Sequence, residues 1–160
     1  MFSFLFHTLF GKIITTLFIS MVPIIELRGA IPVATGMQLS PAVAIPVAMI
    51  GNLIPIPFII IFIKKIFAWM RKVSPKLNGV VDKMEQKADK NKDRILKYAF
   101  WGLVLFVAIP LPGTGAWTGA LVAAMLDMPL KKAFPAIAVG VIGAGIIISF
   151  ISYGAASLFF

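Results

Sequence analysis

The sequence predicts an all-α polytopic membrane protein arranged as an inverted-topology repeat, each half a re-entrant helical hairpin followed by a long transmembrane helix. Three observations lead there. Hydrophobic residues make up 60% of the 160 residues and charged residues only 13%, far from the balance of a soluble domain. Proline and glycine landmarks recur in the same order in both halves. The apolar arms beside the first landmark of each half are too short to cross a bilayer.

The chain divides into an apolar half (1–63), a basic connector (64–97) and a second apolar half (98–160). Pro23 and Pro110 lie 87 positions apart, Pro41 and Pro129 lie 88 apart, and Pro46 and Pro135, like Gly51 and Gly140, lie 89 apart. Each half therefore reads as an apolar arm, a Pro/Gly break, a second short arm, a proline-marked turn and one long apolar segment.

Arm length sets the topology. Ile13 to Met21 and Val33 to Leu39 flank the first break, and ten residues of helix reach roughly 15 Å, half of the ~30 Å hydrocarbon core. The spacing predicts a re-entrant hairpin over 13–39. Pro41 to Ile63 is long enough to span, with kinks expected at Pro55 and Pro57. Ala99–Ile109 and Ala116–Leu126 form the second hairpin (99–126), and Ala133–Tyr153 the second span (133–153). Four ordinary spanning helices kinked by proline are the competing layout.

Charge orients the chain. The net charge is +9, and the segment from Lys64 to Lys97 holds eleven of the fifteen Lys and Arg residues and four of the six acids, for +7. A basic loop between apolar segments is the expected cytoplasmic signature and attracts anionic lipid headgroups, which makes nucleic acid an unneeded partner. The second hairpin then opens to the cytoplasm, with Lys131 and Lys132 inside. The first opens to the opposite face, and both termini lie outside the cell membrane. Within the connector, Leu77, Val80, Val81, Met84, Ala88 and Ile95 recur at helical spacing, predicting an amphipathic helix on the headgroups or a solvated linker. The N-terminus lacks a basic segment followed by a small-residue cleavage site, so it is expected to be retained. Phe2, Phe4, Phe6, Phe10 and the single histidine, His7, read as interfacial side chains.

Glu26 and Arg28 are the only charged residues between Ile13 and Ile63. Ionisable groups at membrane depth cost ~2.5 kcal/mol each or more and mark binding or conduction pathways. They sit at the first break, beside Gly29. The second break, Pro110-Leu111-Pro112-Gly113-Thr114-Gly115-Ala116-Trp117-Thr118-Gly119, carries no charge. Its glycines and the helix expected after it offer backbone N–H groups for an anion, with the Thr114 and Thr118 hydroxyls close by. If the two tips meet, Arg28 is placed to hold a phosphate or carboxylate against Pro112–Gly115, with Glu26 as a titratable acid. The plainer alternative is a Glu26–Arg28 pair that locks the hairpin. Trp117 either stacks on a ligand or packs between helices. Asn52 lines the site or bonds across helices, and Gly140, Gly143 and Gly145, with Ala138 and Ala144, form a face for close packing within the chain or in a homodimer.

No cysteine is present, so no disulfide or thiol chemistry is available. No Ser/His/Asp arrangement, His-Glu-x-x-His motif, Walker A loop or carboxylate cluster is visible. Glu26 and Asp127 are the only acids outside the connector, and the topology separates them in depth. Neither enzymatic activity nor a metal or cofactor is expected.

The segments Glu26-Leu27-Arg28-Gly29-Ala30-Ile31-Pro32 and Pro110 to Gly119 resemble the paired signatures of the small multidrug export protein family, over nearly the whole chain. That family is similar to the DedA/SNARE-associated membrane proteins. The resemblance implies two re-entrant hairpins related by inverted symmetry. Some of those relatives are implicated in moving lipid phosphates across the bilayer, often with proton or sodium dependence. They typically carry an arginine in the second hairpin, where Pro110 to Gly119 here has none.

The expected function is a small secondary transporter or lipid flippase, taking a small or lipid-linked anion at Arg28 and the Gly113–Gly115 backbone, with proton coupling through Glu26. Export of lipophilic cations, with Glu26 as counter-ion, is the first alternative. A non-transporting insertion or scaffold protein is the second.

Overall fold

The computed structural model describes residues 8–73, 75–96, 100–126 and 128–159. His7, Phe2, Phe4, Phe6 and Asp127 lie outside the described residues, as do the side chains of Leu77, Met84, Ala88 and Ile95. The described residues form helices joined by turns, with no strand among them.

Helix α1 (Leu9–Met21) opens on Thr8, whose side chain accepts the Gly11 N–H at 3.1 Å and satisfies one of the unpaired donors of the first turn. It stops before Pro23, because the residue preceding a proline is pushed out of helical geometry. Helix α2 (Glu26–Gly36) follows and packs on α1. Helix α3 (Pro41–Leu53) begins with proline at its first position, where the missing N–H costs nothing.

Two residues, Ile54 and Pro55, then separate α3 from α4 (Ile56–Val73). The helix is interrupted at Ile54–Pro55 and runs on past Ile63. From Phe58 to Val73 no proline or glycine interrupts it. The first ten residues of the basic segment thus continue the long helix, and α5 (Pro75–Leu96) supplies the rest.

Helices α6 (Phe100–Ala108), α7 (Ala116–Met125) and α8 (Leu130–Phe159) complete the chain. Two segments are long and apolar enough to cross a membrane, Pro41–Val73 with 33 residues and Leu130–Ala155 with 26. Their outward residues, among them Ile50, Phe58, Ile142, Phe150 and Ile151, are large, apolar and exposed.

Helix α1 packs on α3, and α6 on α8; α2 packs across on α8, and α7 across on α4. One glycine in each of the first two pairs lets its helices come close. A Cβ on Gly51 would lie 2.6 Å from the Leu17 carbonyl oxygen and would overlap Ser20 Oγ. A Cβ on Gly140 would lie 2.6 Å from Val107 Cβ and 2.8 Å from the Val104 carbonyl oxygen. Gly143 faces Ala108, and Gly145 faces Met49, so the small-residue face of α8 is used within the chain.

The turns that follow α2 and α7 are closed by corresponding hydrogen bonds. Leu39 N–H donates to Ala34 O at 3.0 Å, and Met128 N–H to Ala123 O at 2.9 Å. Ala44 N–H donates to Ser40 O at 2.9 Å, and Ala133 N–H to Pro129 O at 3.0 Å.

The connector helix is packed rather than isolated. It contacts α4, α6 and α7, and Val81 is fully buried in the main core beside Ile56, Phe67 and Leu121. Arg71 at the end of α4 holds it there, pairing with Asp82 at 2.8 Å and Glu85 at 2.6 Å.

Candidate functional site

The first break, Val22 to Ile25, turns the chain sharply. Ile24 and Glu26 take φ of 75° and 50°, a region that a β-branched residue such as Ile24 enters only when the surroundings force it. The turn drives Glu26 inward, leaving it 4% exposed.

Across from it, α7 starts without a cap of its own. Gly115, the residue before the helix, has φ 139° and no side chain to accept the first N–H groups. Glu26 fills that role from the other half of the chain. Its carboxylate accepts the Trp117 N–H at 3.0 Å and the Ala116 N–H at 3.4 Å. A carboxylate at a helix N-terminus gains from both the charged hydrogen bond and the helix dipole.

Arg28 does the complementary work at the end of α6. Its guanidinium donates to the carbonyls of Leu111 (3.0 Å), Thr114 (2.8 Å), Val107 (3.3 Å) and Ile109 (3.3 Å), and to Thr114 Oγ1 (3.0 Å). The last carbonyls of a helix carry its negative dipole end, and a fork of donors suits several of them at once. Thr114 braces the same loop by accepting the Leu111 N–H at 3.2 Å.

The side-chain hydrogen bonds described for Glu26 and Arg28 thus run to the second break and to the end of α6 that leads into it. One charge sits on the positive end of α7, and the other on the negative end of α6. This arrangement lets two ionisable groups persist in an apolar setting, because each is compensated by a half-helix. The N–H groups expected to receive a ligand anion receive Glu26, and the guanidinium expected to fork a substrate holds carbonyl oxygens.

Beside this clamp lies a cavity of about 690 Å³. Of the residues expected at a site, Glu26, Arg28, Pro112, Gly113, Thr114, Trp117 and Thr118 line it. Gly115 is buried behind the Glu26 carboxylate, and Gly29 packs against Ile25. Asn52 is 1% exposed on α3 and is not among the lining residues.

Pro23, Ile24, Pro110 and Leu111 of the two breaks line it too, and the facing walls come from Ile59 and Ile63 of α4, Leu121 of α7, Ile148 of α8 and Lys87 of the connector. Lys87 lies three residues beyond Met84, at the border of the connector's apolar stripe, which is the signal the sequence offered for it. The Trp117 indole N–H is buried and has no hydrogen-bond partner among the described residues. Among the described residues no group of three His, Cys, Asp or Glu is placed to hold a metal ion.

Residues 26–147 match the family model described as "Putative small multi-drug export protein". Neither the curated proteins nor the solved structures give a match.

Proposed function

Because the chain belongs to the family described as "Putative small multi-drug export protein", we propose that it is a small secondary transporter, flippase-like in its handling of amphiphiles, which moves an anionic amphiphile through the cavity between its two breaks. The family and the two long apolar helices make it a membrane protein.

The observation that carries the proposal is the cavity itself. Its size falls within the range of small-molecule sites, its walls are mostly apolar, and a few polar groups converge on it. It lies where two helix breaks meet, the place where secondary transporters of inverted-repeat design hold their substrates. Among the described lining residues two cations, Arg28 and Lys87, stand beside one carboxylate, Glu26, and that balance favours an anionic headgroup over a cationic one. The Trp117 ring and Glu26 are what a lipophilic cation would use, and that is the second reading.

An inverted repeat is part of the proposal. Leu17 and Ser20 meet Gly51 as Val104 and Val107 meet Gly140, and the paired positions lie 87 to 89 residues apart. The hydrogen bonds closing the turns after α2 and α7 are offset by 89 throughout. The second break is thus two residues longer than the first. In that register Gly115 corresponds to Glu26, so the charge of one half faces the bare backbone of the other. The same reading sets the connector on the cytoplasmic side of the cell membrane.

Glu26 is assigned the coupling role. Protonation would remove the charge that holds α7, releasing the Ala116 and Trp117 N–H groups toward an incoming anion. Transport of an alkyl phosphate and of a cationic dye, compared in proteoliposomes of wild type, Glu26→Gln and Arg28→Ala, tests the proposal. Wild-type turnover by both variants would refute it.

A further inference from the structure

Each break carries a proline followed by a large aliphatic residue, Pro23-Ile24 in the first and Pro110-Leu111 in the second. Ile24 and Leu111 lie 87 positions apart, the offset of the two prolines, and all four residues line the cavity. Neither aliphatic side chain is packed away. Ile24 is 92% exposed, more than any other large apolar residue among those described, and Leu111 is 50% exposed.

Their backbones, by contrast, are fixed. The Glu26 N–H donates to Val22 O at 3.1 Å, closing the turn around Ile24, and the Glu26 carboxylate ties that turn to the start of α7. Leu111 O accepts from the Arg28 guanidinium at 3.0 Å and from the Thr114 hydroxyl at 2.9 Å. The Leu111 N–H donates to Ile109 O at 2.9 Å. The first break thus pins the second through Arg28, and is itself pinned at Ala116 and Trp117.

At Ile24 this fixing is unfavourable. Its φ of 75° is disfavoured for a β-branched residue, whereas glycine would take it freely. A strained residue whose side chain is left unpacked adds nothing to stability, and such strain gathers at ligand clamps.

We infer that Ile24 and Leu111 form an apolar clasp, one side chain from each break, which holds the alkyl chain of an amphiphile in this cavity. The inference rests on the reading of the cavity as the substrate site, and it assigns no charge to the headgroup. Two side chains on fixed backbones close on a chain without ordering the loops that carry them, which removes one cost of binding.

The test is binding by the purified full-length protein in phosphatidylcholine nanodiscs, corrected for uptake by empty nanodiscs. The probes are octanesulfonate and octyltrimethylammonium, each beside its ethyl analogue. Wild type should bind one or both octyl probes, at least about tenfold more tightly than the ethyl analogue. Ile24→Ala and Leu111→Ala should each weaken a bound octyl probe about fivefold and leave its ethyl analogue unchanged. The double variant should lose less than the product of the two, because both side chains hold one chain. The thermal midpoint of Ile24→Ala should match wild type, and Ile24→Gly should raise it while weakening the octyl probe. Octyl affinity unchanged in both Ile24 variants would overturn the clasp and leave the cavity reading intact. Equal losses for octyl and ethyl probes, or losses that multiply in the double variant, would overturn it in the same way. Wild type that binds none of the four probes would overturn both the clasp and the reading of the cavity as the substrate site.

Discussion

The carboxylate of Glu26 occupies the space that a side chain at Gly115 would need: a Cβ there would lie 2.5 Å from Oε2 and 2.8 Å from Oε1. The two residues come from opposite halves of the chain, and each explains the other. Gly115 leaves α7 uncapped, and Glu26 supplies the cap.

Gly115→Ala should therefore be among the most damaging small substitutions in the protein. It combines a φ of 139° with a steric overlap against a buried carboxylate. We expect a loss of about 2–4 kcal/mol, from backbone strain and a displaced hydrogen-bonded charge. Gly113→Ala, with φ 84° and only the flexible Lys87 stem nearby, should cost about 1–2 kcal/mol. Thermal unfolding in detergent compares the two, and equal effects would count against the Glu26 contact.

Substitutions at Glu26 should rank by the acceptors they leave. Glu26→Gln keeps one oxygen for the Trp117 N–H and loses the charge, at a cost of about 1–2 kcal/mol. Glu26→Ala leaves both N–H groups of α7 bare and should cost about 2–4 kcal/mol. Hydrogen exchange at Ala116 and Trp117 should rise in that order, and no change in either variant would remove Glu26 as the cap.

Arg28→Lys retains the charge yet loses the fork. A single ammonium cannot reach Val107, Ile109, Leu111 and Thr114 together. The expected cost is about 2 kcal/mol, read as a lower unfolding midpoint and as faster proteolysis within 109–115. A fully stable Arg28→Lys protein would mean that charge alone suffices.

The helix crossings give a test of the repeat. Gly51→Ala and Gly140→Ala each place a methyl group against a carbonyl and a side chain, and should destabilise by about 1–3 kcal/mol apiece. Gly36 and Gly154 have nothing within 4 Å, so alanine there should be neutral or mildly stabilising. A large effect at only one of Gly51 and Gly140 would argue that the halves do not pack alike.

Much of this was legible in the sequence, for physical reasons that differ by element. The breaks at Pro23 and at Pro110–Gly115 were readable because proline and glycine act locally. The meeting of Glu26 and Arg28 with the second break was readable because an apolar chain has few ways to compensate charge. The partners were harder to read. Whether Arg28 holds a ligand or the Val107–Thr114 carbonyls depends on a tertiary approach that no local pattern encodes. Lys87 was hard to pick out for the same reason: in a segment with eleven basic residues, its place at the border of the apolar stripe is a weak signal until the packing of Val81 and the Arg71 pairs fixes the helix. The length of α4 was not legible because Lys64 and Lys65 mark where charge begins, whereas the helix continues to Val73.

The central claim is that Glu26 couples the cavity to protons while the clamp orders the second break. The most direct measurement is uptake of a labelled alkyl phosphate by proteoliposomes under an imposed pH gradient, for wild type and Glu26→Gln. The account predicts gradient-driven accumulation by wild type, and only downhill exchange by Glu26→Gln. Accumulation by Glu26→Gln at the wild-type level would contradict it.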